Sequence, residues 1–258
     1  MEDRVLAKPA DLCCLKGAIH TGEPVGKIEQ IGGVDTYVAR PDPSRANGHV
    51  LLFFPDAFGL HVNSFLMMDA FADCGYTTLG VDYFLGDGIS KYSANPLTDP
   101  NFDFVGWKTK HLKASEEIAA KWVADVKELY GKSDSVKFAC VGYCWGARFV
   151  CHQLSDQGIC KVGAVAHPSF VMESDVDKVN GPLFLSIPSK DKLFEPAERN
   201  RMVEMLSDAD KHFNMQIFSH VGHGFASRTR LTDPYEKWAK EQSFKSFVDW
   251  FDFWLAKS

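Results

Sequence analysis

The sequence of 258 residues lacks the features that mark membrane-spanning, nucleic-acid-binding and disulfide-stapled proteins. It has no apolar run of the roughly 18 residues that a transmembrane helix requires. Its net charge is −6, so it lacks the basic excess that accompanies nucleic-acid binding. It also has no internal repeat and no low-complexity tract. These absences predict a globular protein with no nucleic-acid partner and no membrane partner.

The seven cysteines form no framework of spaced pairs, which indicates reduced thiols. The first nine residues hold no apolar core of signal-peptide length, and we therefore expect a cytoplasmic location. A zinc site built from Cys13, Cys14 and His20 is disfavoured, because vicinal cysteines do not easily chelate one ion and no fourth ligand is evident. No metal and no cofactor are predicted.

Short apolar runs alternate with helical patterns along most of the chain. Residues 1–33 are predicted to form an irregular N-terminal segment, packed on a single domain of residues 34–258. Strands that alternate with helices predict an α/β fold, with a mostly parallel central sheet and helices on both faces. The predicted strands are 34–40, 50–54, 76–81, 136–141, 162–166, 182–187 and 213–218, and the predicted helices are 63–74, 113–130, 145–156, 196–206 and 243–255.

Residues 82–112 interrupt this rhythm and are predicted to form a long aromatic loop. Long loops inside compact domains are more often functional than idle, so Tyr83 and Phe84 are candidates for contacts with a substrate. The alternative is a surface loop that its own aromatic side chains hold down. In parallel sheets ligands bind at the carboxyl ends of the strands, which makes the other loops after strands candidate sites as well.

A Gly-x-Cys-x-Gly turn, residues 142–146, lies between a predicted strand and a predicted helix. This context is the one that a nucleophile elbow requires, with small residues on both sides of a strained central position. The turn would lift the Cys144 sulfur to the head of the following helix, where the helix dipole favours a thiolate. Cys144 is therefore the candidate nucleophile, and a buried structural cysteine in a tight turn is the alternative.

A nucleophile of this kind needs a carboxylate and a histidine after later strands, in that order along the chain. Asp191 follows the strand at 182–187, and His223, between two glycines, follows the strand at 213–218. His220 is a rival base that is expected to face outward, and Glu195 is a rival acid that better suits a helix start before Pro196. Asp191 is expected to orient His223 as the general base.

An oxyanion hole requires two backbone donors close to the nucleophile. One is predicted to be the N–H of Trp145, the residue after Cys144. The other is predicted in the loop after the early buried strand, with Ala57 first and Phe58 next. The alternative for residues 56–59 is an ordinary turn before the helix at 63–74.

These residues resemble the dienelactone hydrolases, α/β-hydrolases with a Cys-Asp-His triad, over nearly the whole chain from about residue 13. The resemblance is carried by the Gly-Tyr-Cys-Trp-Gly elbow, Ser-Lys-Asp-x-x-Phe-x-Pro at 189–196, Gly-His-Gly-Phe-Ala at 222–226 and Asp-Ala-Phe-Gly at 56–59. The N-terminal Cys-Cys-x-x-Gly-x-x-His pattern and the loop at 84–87 are most similar to the eukaryotic, especially fungal, branch. The resemblance implies that Asp56 corresponds to a glutamate beside the resting thiol and opposes its ionisation.

The bacterial members hold a substrate carboxylate with two arginines. Arg228 lies one position later than the bacterial spacing and is the candidate for one of them, on a loop expected to face the pocket mouth. No arginine stands near Leu85-Gly86-Asp87, where the other belongs, which leaves the substrate open. Arg148 is expected to be a structural ion-pair partner. His167, after the strand at 162–166, faces either the substrate or the core.

The residues thus predict a carboxylic ester hydrolase that cleaves a lactone or small ester through an acyl-enzyme on Cys144. The alternatives are a thioesterase or another acyl-transfer enzyme with the same triad, and a non-catalytic binding module on this fold. The expected partner is a small-molecule ester or lactone, and the expected assembly is a monomer or a homodimer.

Overall fold

A mixed sheet of eight strands forms the centre of the computed structural model, which describes residues 3–92, 99 and 102–257. The strand order is β10-β9-β7-β6-β4-β5-β3-β2, and a separate pair joins β1 to β8. The strands are β1 (Val5–Ala7), β2 (Lys27–Ile31), β3 (Val34–Ala39), β4 (Val50–Phe54), β5 (Thr77–Val81), β6 (Phe138–Tyr143), β7 (Cys160–Ala166), β8 (Val171–Met172), β9 (Leu183–Pro188) and β10 (Phe213–Phe218).

The six strands from β10 to β5 are parallel, and β3 and β2 add an antiparallel edge. The central strand β4 alternates between two cores. Its Leu52 and Phe54 face one apolar cluster, while Leu51 and Phe53 face the other. Both faces of the sheet are therefore buried, as the continuous apolar run of β4 requires.

Helices cover both faces. Side chains of α2, α3 and α5 enter the cluster of Phe54, and side chains of α1 and α7 enter the cluster of Phe53. The helices are α1 (Val62–Asp73), α2 (Phe104–Tyr130), α3 (Ala147–Gln153), α4 (Glu173–Asp177), α5 (Pro196–Asp208), α6 (Phe225–Arg228) and α7 (Pro234–Leu255). In the ranges that the structure describes, no helix is long and apolar enough to cross a membrane. The predicted α/β class is confirmed.

The prediction of an irregular segment over residues 1–33 is wrong for two stretches. Strand β1 pairs with β8, and β2 pairs with β3 to complete the edge of the main sheet. The β2–β3 hairpin turns at Gly32 and Gly33, both with positive φ. A two-residue turn with positive φ at both positions matches the twist of paired strands and favours glycine.

The prediction of a continuous loop over 82–112 is wrong for residues 104–112, because α2 begins at Phe104. The side chain of Asp103 accepts a hydrogen bond from the Gly106 N–H and so caps the helix, which offsets the low helix propensity of this glycine. Residues 93–98, 100 and 101 lie outside the described residues.

Candidate active site

The turn after β6 holds Cys144 in a conformation that L-residues rarely adopt, with φ of 49°. A Cβ atom on Gly142 would lie 2.5 Å from the Gly146 carbonyl oxygen, and one on Gly146 would lie 2.1 Å from the Phe54 carbonyl oxygen. Both glycines are therefore required for the close packing of this turn. The strained central residue between two obligatory glycines is the geometry of a nucleophile elbow.

The loops after β9 and β10 bring Asp191 and His223 together. The Nδ1 atom of His223 lies 2.8 Å from Oδ2 of Asp191, and both side chains are buried. The other oxygen of Asp191 accepts a hydrogen bond of 2.9 Å from the Leu193 N–H, which fixes the carboxylate. Such a pair holds the imidazole in one orientation, as a base requires.

The alternative base and the alternative acid, His220 and Glu195, make other contacts. His220 is exposed with its ring against Tyr235, and Glu195 pairs with Lys8 at the start of α5.

Cys14 lies at the meeting point of the nucleophile turn and the histidine loop. Its Sγ atom is 3.4 Å from Sγ of Cys144. Ligand atoms of Cys14, Cys144 and His223 all lie within 4.8 Å of one another. Burial lowers the pKa of His223, but the charges of Cys14 and Asp191 and the hydrogen bond between Nδ1 and Asp191 raise it well above its ordinary value.

Sequence reasoning missed this contact and also the neighbour on the other side, Ser169. The Ser169 hydroxyl is 3.6 Å from Sγ of Cys144, and its N–H donates to the Cys144 carbonyl oxygen. The Cys13-Cys14 pattern was the one available signal for Cys14. His20, its partner in the zinc hypothesis, lies instead against the Thr229 carbonyl oxygen, and the side chain of Cys13 is outside the described part of the chain.

The predicted oxyanion donors lie at two backbone turns beside the nucleophile. Trp145 stands in the first helical turn after β6, where N–H groups have no intrahelical acceptor. The Ala57 N–H takes part in no hydrogen bond within the described residues. The side chain of Trp145 is anchored through Nε1, which donates to the Ser115 hydroxyl at 3.1 Å.

Asp56 and Arg228 form a buried ion pair. Oδ2 of Asp56 accepts from the Arg228 guanidinium and, at 2.8 Å, from the Ser227 hydroxyl. The guanidinium also lies 4.6 Å from the Phe58 ring centroid and donates to the Cys14 carbonyl oxygen at 2.9 Å. Arg228 lines the cavity beside His223, as expected, but its guanidinium is buried against a carboxylate of the same chain.

Asp56 makes no hydrogen bond to the Cys144 thiol among the described residues, and its effect on ionisation of the thiol stays a prediction. The oxygens of Asp56 accept hydrogen bonds from Arg228, Ser227 and the Phe58 N–H. Sγ of Cys144 contacts Cys14 and Ser169. The Asp56 carboxylate is engaged by the arginine because a buried charge requires a partner of opposite sign.

Three further candidates for substrate contacts are buried. Tyr83 and Phe84 pack in the core, against Phe149 and Trp145 respectively, and neither lines the cavity at His223. Their expected role in the pocket is wrong in this structure, because aromatic burial draws them inward. His167 is fully buried with its ring centroid 5.0 Å from that of His223, and burial lowers the pKa of His167 well below its ordinary value.

Arg148 is the structural ion-pair partner that was predicted, 2.6 Å from Glu116.

A cavity of about 870 Å³ opens beside His223. The N-terminal segment 11–18, the loop of Asp191 and the loop of His223 supply most of its wall. Three exposed lysines line it: Lys16, Lys190 and Lys192. Two arginines also line it, and both are in ion pairs: Arg228 with Asp56 and Arg230 with Glu236. One exposed carboxylate, Asp11, stands against these three lysines, so the cavity wall carries a positive excess.

Comparison with known proteins agrees with this fold and site. A model of the dienelactone hydrolase family matches residues 34–255. The chain is 66% identical over 257 residues to "Dienlactone hydrolase 1" of Gibberella moniliformis, which covers 100% of this chain and 98% of the relative. It is 35% identical over 251 residues to the hydrolase pyvD of Aspergillus violaceofuscus, with 96% and 98% covered.

Among solved structures, a candidate dienelactone hydrolase from Klebsiella pneumoniae matches with a TM-score of 0.70 at 16% identity, over 85% of this chain and 92% of that one. The fold is therefore that of a single-domain α/β-hydrolase, with a cysteine at the elbow after β6. The chain belongs to the dienelactone hydrolase family. It is a carboxylic ester hydrolase, and the predicted enzyme class is confirmed.

Proposed function

We propose that the protein hydrolyses a lactone or small ester through an acyl-enzyme formed on Cys144. The observation that carries the proposal is the strained Cys144 turn within 4.8 Å of a His223 ring whose Nδ1 is bonded to buried Asp191. A nucleophile, a base and an orienting carboxylate are the three parts that acyl transfer requires.

In the proposed reaction, Sγ of Cys144 attacks the carbonyl carbon and its proton passes to His223. The N–H groups of Ala57 and Trp145 stabilise the oxyanion that develops on the carbonyl oxygen. The imidazolium of His223, held by Asp191, then protonates the leaving alkoxide. Water, deprotonated by His223, cleaves the thioester and restores the thiol.

We further propose that the substrate is an anion held at the cavity mouth. Lys16, Lys190 and Lys192 are exposed on its wall, and none is in an ion pair within the described part of the chain. Arg228, the earlier candidate, is occupied by Asp56. Flexible ammonium groups suit a carboxylate that arrives from solvent.

The test is turnover of chromogenic short-chain esters, lactones and thioesters by wild type and by Cys144→Ala. Cys74→Ala is the matched control, because Cys74 is an exposed cysteine outside the site. The proposal expects loss of orders of magnitude in kcat for Cys144→Ala with an unchanged fold, and normal turnover in the control. Near-normal ester turnover in Cys144→Ala would refute it, and turnover of thioesters alone would favour the thioesterase alternative.

A further inference from the structure

We propose that Cys14 and Cys144 form a reversible disulfide that switches the enzyme off under oxidising conditions. The structure brings together two buried cysteines that are 130 positions apart in the sequence, with their Sγ atoms at 3.4 Å. A disulfide bond of about 2.0 Å requires the sulfur atoms to approach by little more than 1 Å. The inference goes beyond the proposed reaction, which uses Cys144 but not Cys14.

Hydrogen bonds to Arg228 hold the N-terminal segment that carries Cys14 in place, so the contact between Cys14 and Cys144 belongs to the folded structure. Arg228 donates to the carbonyl oxygens of Cys14 and Lys16, at 2.9 and 3.2 Å. The Ala18 N–H donates back to the Arg228 carbonyl oxygen at 2.8 Å. Gly17 has φ of 139°, and a Cβ atom there would lie 2.4 Å from Cβ of Arg228. The glycine therefore lets the segment pass directly over Arg228 and places Cys14 on the elbow.

The residues around the two sulfur atoms also favour the chemistry of disulfide formation. An elbow cysteine that can ionise is the group that reacts with peroxide, and a second cysteine at contact distance resolves the product. The Cys14 sulfur lies within 4.8 Å of a ring nitrogen of His223, a base that can take its proton. His223 also lines the open cavity. The cysteine pair, which lies within 4.8 Å of this histidine, is therefore next to the cavity.

The steps balance with hydrogen peroxide as the oxidant. The Cys144 thiolate attacks one peroxide oxygen, breaks the O–O bond and becomes a sulfenic acid as hydroxide leaves. The Cys14 sulfur, after giving its proton to His223, attacks the sulfenic sulfur. The S–S bond forms and the S–O bond breaks, with the second oxygen leaving as water. In sum, two thiols lose two electrons and two protons, and one peroxide becomes two waters.

Two consequences follow for the enzyme. The disulfide occupies the sulfur of the proposed nucleophile, so ester turnover stops. It also protects Cys144 from oxidation to a sulfinic acid, which thiol reductants do not reverse. A thiol reductant is therefore expected to restore most of the activity of the oxidised wild type.

The first experiment maps the bond directly, whatever ester the enzyme cleaves. Full-length wild type is treated with hydrogen peroxide in the presence of a chelator, blocked with iodoacetamide and digested with trypsin. The expected product is peptide 5–16 linked to peptide 138–148, with fragmentation assigning the link to Cys14 and Cys144. A link through Cys13, a link through Cys140, or sulfinic acid on Cys144 with no link would overturn the proposal.

The second experiment compares recovery by dithiothreitol in wild type, Cys14→Ser, Cys14→Ala and the Cys74→Ser control, each relative to its own untreated activity. Wild type and Cys74→Ser are expected to recover most of their activity. Both Cys14 variants are expected to stay inactive and to carry sulfinic acid on Cys144. Recovery of either folded Cys14 variant to the wild-type level would contradict the switch. If no ester is turned over, the same comparison is read from the fraction of Cys144 that iodoacetamide labels after reduction.

Discussion

The guanidinium of Arg228 is ion-paired with the carboxylate of Asp56 at a position where both side chains are almost fully shielded from water. The same arginine reaches the backbone of Cys14 and Lys16. It thus joins three parts of the candidate site: the loop of Asp56 and Ala57, the histidine loop and the N-terminal segment. Arg228 therefore has a structural role, and its charge is already neutralised by Asp56 where it lines the cavity.

Arg228→Met is therefore expected to destabilise the protein, because it leaves the buried carboxylate of Asp56 without its counter-charge. Breaking one side of a buried pair costs about 3–5 kcal/mol of unfolding free energy. The matched control is Arg230→Met, since Arg230 forms an exposed pair with Glu236 and such pairs contribute less than about 1 kcal/mol. Urea denaturation measures both. Equal, small losses in the two variants would show that the Asp56–Arg228 pair is not structural.

The lysines at the cavity mouth give a second prediction. Lys190→Gln and Lys192→Gln are each expected to raise KM for an anionic ester roughly fivefold, the ratio that about 1 kcal/mol gives. KM for a neutral ester of the same leaving group is expected to stay unchanged, because Asp191 between them remains bonded to His223. Steady-state kinetics on the matched ester pair measures this ratio. Equal changes for both esters would place the lysines outside substrate recognition.

Burial of His61 predicts a loss of stability in mild acid. Burial, with the charges of His20 and Lys240, lowers the pKa of His61 from its ordinary value of 6.5 to about 4. The unfolded chain therefore binds a proton as the pH falls through 6.5, while the folded protein does not. By linkage, this one site removes about 2 kcal/mol of unfolding free energy between pH 7 and pH 5.

The variant His61→Phe keeps an aromatic ring at this position and removes the titrating group. Its free energy of unfolding is therefore expected to fall less than that of wild type over the same pH range. Urea denaturation of wild type and variant at pH 7 and pH 5 gives the comparison. Other buried histidines, His167 among them, act in both proteins and cancel in the difference. Parallel pH profiles of the two proteins would mean that His61 does not titrate as this account requires.

Much of the fold follows from local patterns. The run at 50–54 and the strand at 213–218 have the bounds that their apolar residues and flanking turns predict. The elbow could be found because its glycines are required by contacts within a few residues, together with the Phe54 backbone. Asp191 and His223 could be found because parallel strands bring their carboxyl ends to one edge of a sheet.

The remaining features depend on long-range contacts that a pattern does not encode. The edge strand β2 alternates poorly, and its pairing with β3 across Gly32 and Gly33 was not predicted. The Arg228–Asp56 pair joins residues that are 172 positions apart, and the Cys14–Cys144 contact spans 130. From the residue type alone, Arg228 could bind either a substrate carboxylate or a carboxylate of its own chain.

The most direct test of the central claim is to identify the side chain that becomes acylated. The enzyme is mixed with a chromogenic acetate ester, quenched in acid within the first turnovers, and digested for mass spectrometry. The account predicts one acetyl group on peptide 138–148, assigned to Cys144 by fragmentation and absent from Cys144→Ala. An acetyl group on Cys14 or Ser169 instead, or full turnover with no acylated residue in the quenched enzyme, would contradict it.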